Sequence, residues 1–171
     1  MKFKHLFIFE PKAWVGEGII TLNMVEERLN FSTKWSVKEP DFAGKIISVQ
    51  ELQISGISEN MRNELTFYDF TDNKFSVEME NLNIGRVVGA GVFDDKMIAW
   101  EFRENDLSFE GYETYHLQKD GGYLMHAEYV TSDQFRTQID GKLWLPPEDE
   151  SKDETMDPEN EEDEQEEEDQ G

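Results

Sequence analysis

From Trp14 to Trp144 apolar and polar side chains alternate with a period of two, and no long stripe at helical spacing replaces them. The clearest stretch sets Leu29, Phe31, Thr33, Trp35 and Val37 against Arg28, Asn30, Ser32, Lys34, Ser36 and Lys38. One face of such a segment is apolar and the other wet, as a half-buried antiparallel strand requires. Comparable segments recur over 14–24, 28–38, 44–54, 61–69, 75–82, 86–93, 97–103, 107–118, 123–131 and 135–144. Between them lie turn formers such as Asp72-Asn73, Asp94-Asp95, Asn105-Asp106 and Asp120-Gly121-Gly122. Residues 3–10 are expected to hold a short helical turn or an edge strand, which Pro11 ends.

Ten short strands joined by short turns predict an all-β domain of consecutive hairpins. Closing the meander removes its exposed edges, so an antiparallel up-and-down β-barrel of about 8–10 strands is expected. A β-sandwich is the alternative, and it normally carries longer crossing connections.

Turn lengths give an expected register. A two-residue turn at Asp94-Asp95 pairs Gly91 with Ile98 and Gly89 with Trp100. A second at Asn105-Asp106 pairs Trp100 with Gly111, Phe102 with Phe109 and Ile98 with Glu113. A three-residue loop at Asp120-Gly121-Gly122 pairs Tyr115 with Ala127 and Leu117 with Met125. All three keep apolar side chains on one face, as correct register demands. Trp100 would then stand between Gly89 and Gly111. Those glycines either make room for a large core indole or hollow a pocket floored by Trp100.

The alternation stops after Trp144-Leu145-Pro146-Pro147. Residues 148–171 lack aromatics, hold Met156 as their one sizeable apolar group, and carry 15 acids against one Lys. Such a segment cannot bury enough surface to repay its conformational entropy. The chain therefore reads as a barrel domain over 1–147 and a disordered acidic tail over 148–171.

Charge narrows the partners. The net −23 divides into −14 on the tail and −9 on the remaining 147 residues, which carry 24 acids and 15 bases. Neither nucleic acid nor an anionic membrane is expected, because both need concentrated Lys and Arg. A basic protein could engage the tail. With no Cys, disulfides and thiolate chemistry are excluded. Leu6–Phe9 is the apolar run near the start, shorter than a signal segment needs, so a cytoplasmic location is expected.

Glu113 is the residue the pattern singles out. Alternation places its carboxylate on the apolar face, among Ile98, Gly111, Tyr115 and either Ala127 or Tyr129. There it must be paired, hydrogen-bonded or protonated. It can serve as an internal structural hydrogen bond, as a ligand's polar anchor, or as a general acid or base. His116 and His126, on adjacent strands, could face each other across the ladder, and Glu128 and Glu110 on the same outer face would make a weak surface metal site conceivable, two exposed histidines being the ordinary reading. Two histidines fall short of a zinc site, so no metal is expected. Gly16-Glu17-Gly18 and Gly89-Ala90-Gly91 lack the following helix that a phosphate-cradling turn requires. No cofactor is expected.

Lys12-Ala13-Trp14-Val15-Gly16-Glu17-Gly18, opening the first strand, resembles the entry of calycin-type barrels: lipocalins, fatty-acid-binding proteins and nitrobindin-like domains. The meander over 14–144 is similar too. The resemblance implies an internal cavity, often for a hydrophobic ligand, with Trp14 plugging the closed end. In lipocalins that Trp meets an Arg on a late strand. Arg136 is the late candidate, and the alternation turns it outward. A nitrobindin-like haem ligand would need an inward His, whereas His116 and His126 point out.

The leading expectation is non-enzymatic binding of a small, mostly apolar molecule in the barrel. Inward aromatics Phe31, Trp35, Phe67, Phe75, Trp100, Phe102, Phe109, Tyr115 and Tyr129 would line it. Trp35, Phe67, Trp100, Phe102, Glu113, Tyr115 and Tyr129 are the candidate ligand contacts. The alternative is a filled barrel acting as a protein-interaction module through its outer face and acidic tail. A third possibility is an enzyme working through Glu113.

Overall fold

The computed structural model describes residues 5–103, 106–131 and 133–147. The expected acidic tail over 148–171 and the turn residue Asn105 lie outside them. Ten strands follow one another: β1 (Ala13–Leu22), β2 (Arg28–Val37), β3 (Ile46–Ile54), β4 (Met61–Thr71), β5 (Lys74–Asn81), β6 (Gly85–Phe93), β7 (Met97–Phe102), β8 (Glu110–Leu117), β9 (Tyr123–Val130) and β10 (Arg136–Trp144). Each pairs antiparallel with its sequence neighbours, and β1 also pairs with β10, Val15 opposite Trp144 and Leu22 opposite Thr137. The barrel is closed, and the sandwich alternative falls.

Alternation sets the inner face as expected. On β2 Phe31, Thr33, Trp35 and Val37 are buried while Asn30, Ser32, Lys34 and Ser36 are exposed. Pairing register differs from the expectation by two residues at three hairpins. Phe93 pairs with Ile98, so Trp100 meets Gly91 rather than Gly89. Asp94 Oδ1 accepts from the backbone N–H of Lys96 and of Met97, which centres the turn on Asp95-Lys96 instead of Asp94-Asp95. Across β7–β8, Trp100 meets Glu113, Phe102 meets Gly111 and Ile98 meets Tyr115. At the β8–β9 turn the Gln118 N–H donates to the Gly122 carbonyl, and Gly121 adopts φ +92°. The loop is therefore Lys119-Asp120-Gly121, with glycine in the left-handed position such loops demand. Glu113 then pairs with Ala127 and Tyr115 with Met125. A turn misplaced by one residue moves the register by two, so every side chain kept its face.

One end of the barrel is packed solid. Residues 5–10 form a single turn, Phe9 and Glu10 N–H both donating to the Leu6 carbonyl, and they cap this end without joining the sheet. Phe7 enters edge-on against Trp14 and Trp35, with ring centroids 5.4 and 5.2 Å away, and also meets Tyr115 and Tyr123. His5 Nε2 donates to the Asp94 carbonyl at 2.6 Å, and its Nδ1 lies 2.8 Å from the Tyr123 hydroxyl. Ile8 is fully buried with φ +62°. A left-handed β-branched residue costs about 1–2 kcal/mol, which burying its side chain, worth about 1.5–3 kcal/mol, offsets. The cap is thus built into the core.

Beneath it stack Trp35, Phe67, Phe75, Trp100 and Tyr115. The space left by the missing side chain of Gly91 is taken by the ring of Phe75. Glycine at that position makes room for a core aromatic, and it hollows no pocket under Trp100.

Candidate functional site

The other end of the barrel is not filled. A cavity of about 300 Å³ opens there, within the size range of small-molecule sites. Its walls are mostly aliphatic and aromatic, among them Ile20, Phe31, Leu52, Ile54, Phe109 and Ile139. Trp35 and Tyr115 belong both to the packed half and to the cavity lining, and so form its floor. The hairpins around the mouth carry exposed Met24, Val25, Ile57, Leu82 and Leu107. Apolar surface therefore continues from the cavity onto its rim.

Of the candidate contacts, Trp35, Glu113, Tyr115 and Tyr129 line this cavity. Phe67, Trp100 and Phe102 do not reach it. They lie in the packed core, none more than 2% exposed, Trp100 stacked on Tyr115 at 5.1 Å between ring centroids. Period two tells which way a side chain points and says nothing of its depth along the barrel.

Glu113 is buried at the wall between β7 and β9. Tyr115, two residues along the same strand and on the same face, donates its hydroxyl to Oε1 at 2.5 Å. Tyr129, on β9, donates to Oε2. Its ring lies over Gly111, where a Cβ would collide with it and with the Glu128 carbonyl. Burial pushes the Glu113 carboxyl up from its ordinary range, against the opposing pull of both phenols. Burial and the adjacent carboxylate hold both phenols well above theirs, so they remain donors. Among the described residues no Lys, Arg or His forms an ion pair with Glu113.

A second polar group, which the sequence reading missed, faces the cavity from the opposite wall. Asn63 Nδ2 donates to Gln50 Oε1 at 2.9 Å, and Asn81 Nδ2 donates to Asn63 Oδ1 at 2.7 Å. Asn81 Oδ1 in turn accepts from the backbone N–H of Asn83 and Ile84, tying the ladder to the β5–β6 turn. Gln50 on β3 and Glu113 on β8 stand five strands apart either way round the barrel. The signal was available: Gln50 alternates with Ser48 and Leu52, Asn63 with Leu65, and Asn81 with Met79, all inward positions.

His116 and His126 do not face each other. Thr114 pairs with His126 and His116 with Leu124. On the outer surface His126 Nδ1 lies 2.7 Å from Asp140 Oδ1 and its Nε2 2.9 Å from Glu128 Oε2. Both nitrogens are taken by carboxylates, and among the described residues no group of three acids or histidines is arranged to hold a metal. Arg136 is exposed beside Glu128 at 4.0 Å, at the end of β10 away from the buried Trp14.

Comparison with known proteins speaks to architecture alone. No protein-family model matches the sequence, and no curated protein matches it. Among solved structures the barrel is similar to an S-type phycobiliprotein lyase, CPES, from Guillardia theta. The TM-score is 0.61 over 81% of this chain and 89% of that one, at 9% identity. The likeness is one of fold, a closed antiparallel barrel, and at that identity it does not extend to what the barrel holds.

Proposed function

We propose that the protein binds a small, mostly apolar molecule in the cavity, without catalysing a reaction on it. The observation that supports this best is the half-filled barrel. Aromatic side chains pack its capped end solid, and the other end keeps an apolar cavity with few polar groups on its walls. The apolar rim of Met24, Val25, Ile57 and Leu82 gives such a molecule a path in from water. Among the described residues Glu113 is the acidic side chain in the lining, and no His joins it, so a general acid there would lack a partner base.

Titration with N-phenyl-1-naphthylamine, whose fluorescence rises in apolar surroundings, tests the reading. Saturable one-to-one binding is expected, lost in Leu52→Trp, where an indole fills the cavity, with thermal stability retained. Absence of saturable binding to the wild type, or equal binding by the variant, would overturn it.

A further inference from the structure

Resting on that reading of the cavity, we propose that its natural occupant is an apolar molecule bearing an amine, seated as a cation on Glu113. The buried carboxylate is prepared as an acceptor, and no counter-charge meets it among the described residues. Two phenols donate to it, one to each oxygen. An ionised carboxylate offers about four lone-pair sites, so about two are left for another donor. Two neutral donors relieve part of the desolvation of a buried anion, and a cation relieves more.

Among the described residues none supplies that cation. Lys142 is the basic residue at the cavity wall, and it is exposed, alternating with inward Leu143. The remaining polar lining is neutral: Thr33, Gln50, Asn63, Asn81 and Thr137. Asn63 and Asn81 spend their bonds largely on each other and on the β5–β6 turn, and the Thr33 hydroxyl donates to the Glu51 carbonyl. Among the described lining residues an ammonium group therefore finds its partner of opposite charge at Glu113. An anionic head group would meet a like charge there, in a chain whose net charge of −23 already disfavours its approach.

Octylamine, octanol and octanoate share one chain and differ in head group. Their affinities for the full-length protein, measured calorimetrically at pH 7.5, separate this proposal from the one it rests on. Octylamine is expected to bind at least about tenfold more tightly than octanol, with octanoate weakest. In Glu113→Gln, which can still pair with both phenols, octylamine should fall to within about twofold of octanol measured on the same variant. In the wild type the amine preference should shrink on acidification to pH 4, a readout that needs no variant. Equal binding of the three, a preference for octanoate, or an amine preference that survives in Glu113→Gln or at pH 4 would overturn the amine and leave the apolar cavity standing. Failure of all three to bind would overturn both.

Discussion

Tyr129 reaches Glu113 diagonally across the β8–β9 ladder, and it does so through the space that a side chain at position 111 would occupy. A glycine therefore determines where a phenol lies, and the phenol determines how a buried carboxylate is held. Tyr115 completes the clamp from the carboxylate's own strand, and its ring rests on Trp100 in the packed half. Cavity polarity and core packing meet at these residues.

Gly111→Ala should disturb that arrangement more than its single methyl suggests. The new Cβ would overlap the Tyr129 ring and the fixed Glu128 carbonyl, so relief must come from the tyrosine. A loss of about 1–3 kcal/mol is expected in urea denaturation, the usual range for overpacking. Adding Tyr129→Phe should not restore it, because the ring remains. Tyr129→Ala should restore part of it.

Glu113→Gln should stabilise the apo protein at neutral pH. The native carboxyl is raised by burial, so its contribution to stability is fully present below the unfolded value of about 4.3 and is lost as pH rises through the native one. A neutral amide of the same shape avoids the charged form, accepts from one phenol and can donate to the other. A gain of about 1 kcal/mol is expected at pH 7.5, vanishing toward pH 4. Stability curves of the two proteins that run parallel across this range would contradict the assignment.

The strands and the face of each residue were legible because a period of two survives errors in turn position. Misplacing the Asp94 turn by one residue exchanged Gly89 for Gly91 opposite Trp100 and left Glu113 inside the barrel. The turn centre itself depends on which backbone N–H groups the Asp94 carboxylate accepts, a choice between adjacent Asp residues that alternation does not register. Depth was illegible for a related reason. Phe67 and Phe109 read alike as inward aromatics, yet one lies in the packed half and the other at the cavity. The difference follows from which end residues 5–10 fold over, and six residues without a repeat carry no such information.

His126 gives a pH dependence of opposite origin on the outer surface. Its hydrogen bonds to Asp140 first and Glu128 second favour the charged ring and raise its pKa. The stability it contributes is therefore complete below about 6.5, the unfolded value, and is lost as pH rises through the native one. With the side chain 35% exposed, screening reduces the effect. His126→Ala should cost about 0.2–1 kcal/mol at pH 5.5 in low salt and nothing measurable above pH 8.5. A cost that persists above pH 8.5 would mean that packing against Tyr112, not charge, is what His126 provides.

The cap formed by residues 5–10 should separate two contributions that the structure places side by side. Phe7 is fully buried among Trp14, Trp35, Tyr115 and Tyr123, so Phe7→Ala leaves a cavity whose aromatic walls cannot close over it. A loss of about 3–5 kcal/mol is expected. Tyr123→Phe keeps the ring and removes the hydroxyl that meets His5 Nδ1, which should cost about 1 kcal/mol. The two should also differ in kind. Without Phe7 the cap loses its anchor, and amide exchange at Phe9 and Glu10, whose N–H groups donate to the Leu6 carbonyl, should accelerate toward the unprotected rate. In Tyr123→Phe, where Phe7 stays seated, exchange at those two amides should change little. Equal acceleration in both variants would show that the Tyr123 hydroxyl, which meets His5 and the backbone of Leu6 and Phe7, rather than the buried phenyl ring, holds the end of the barrel shut.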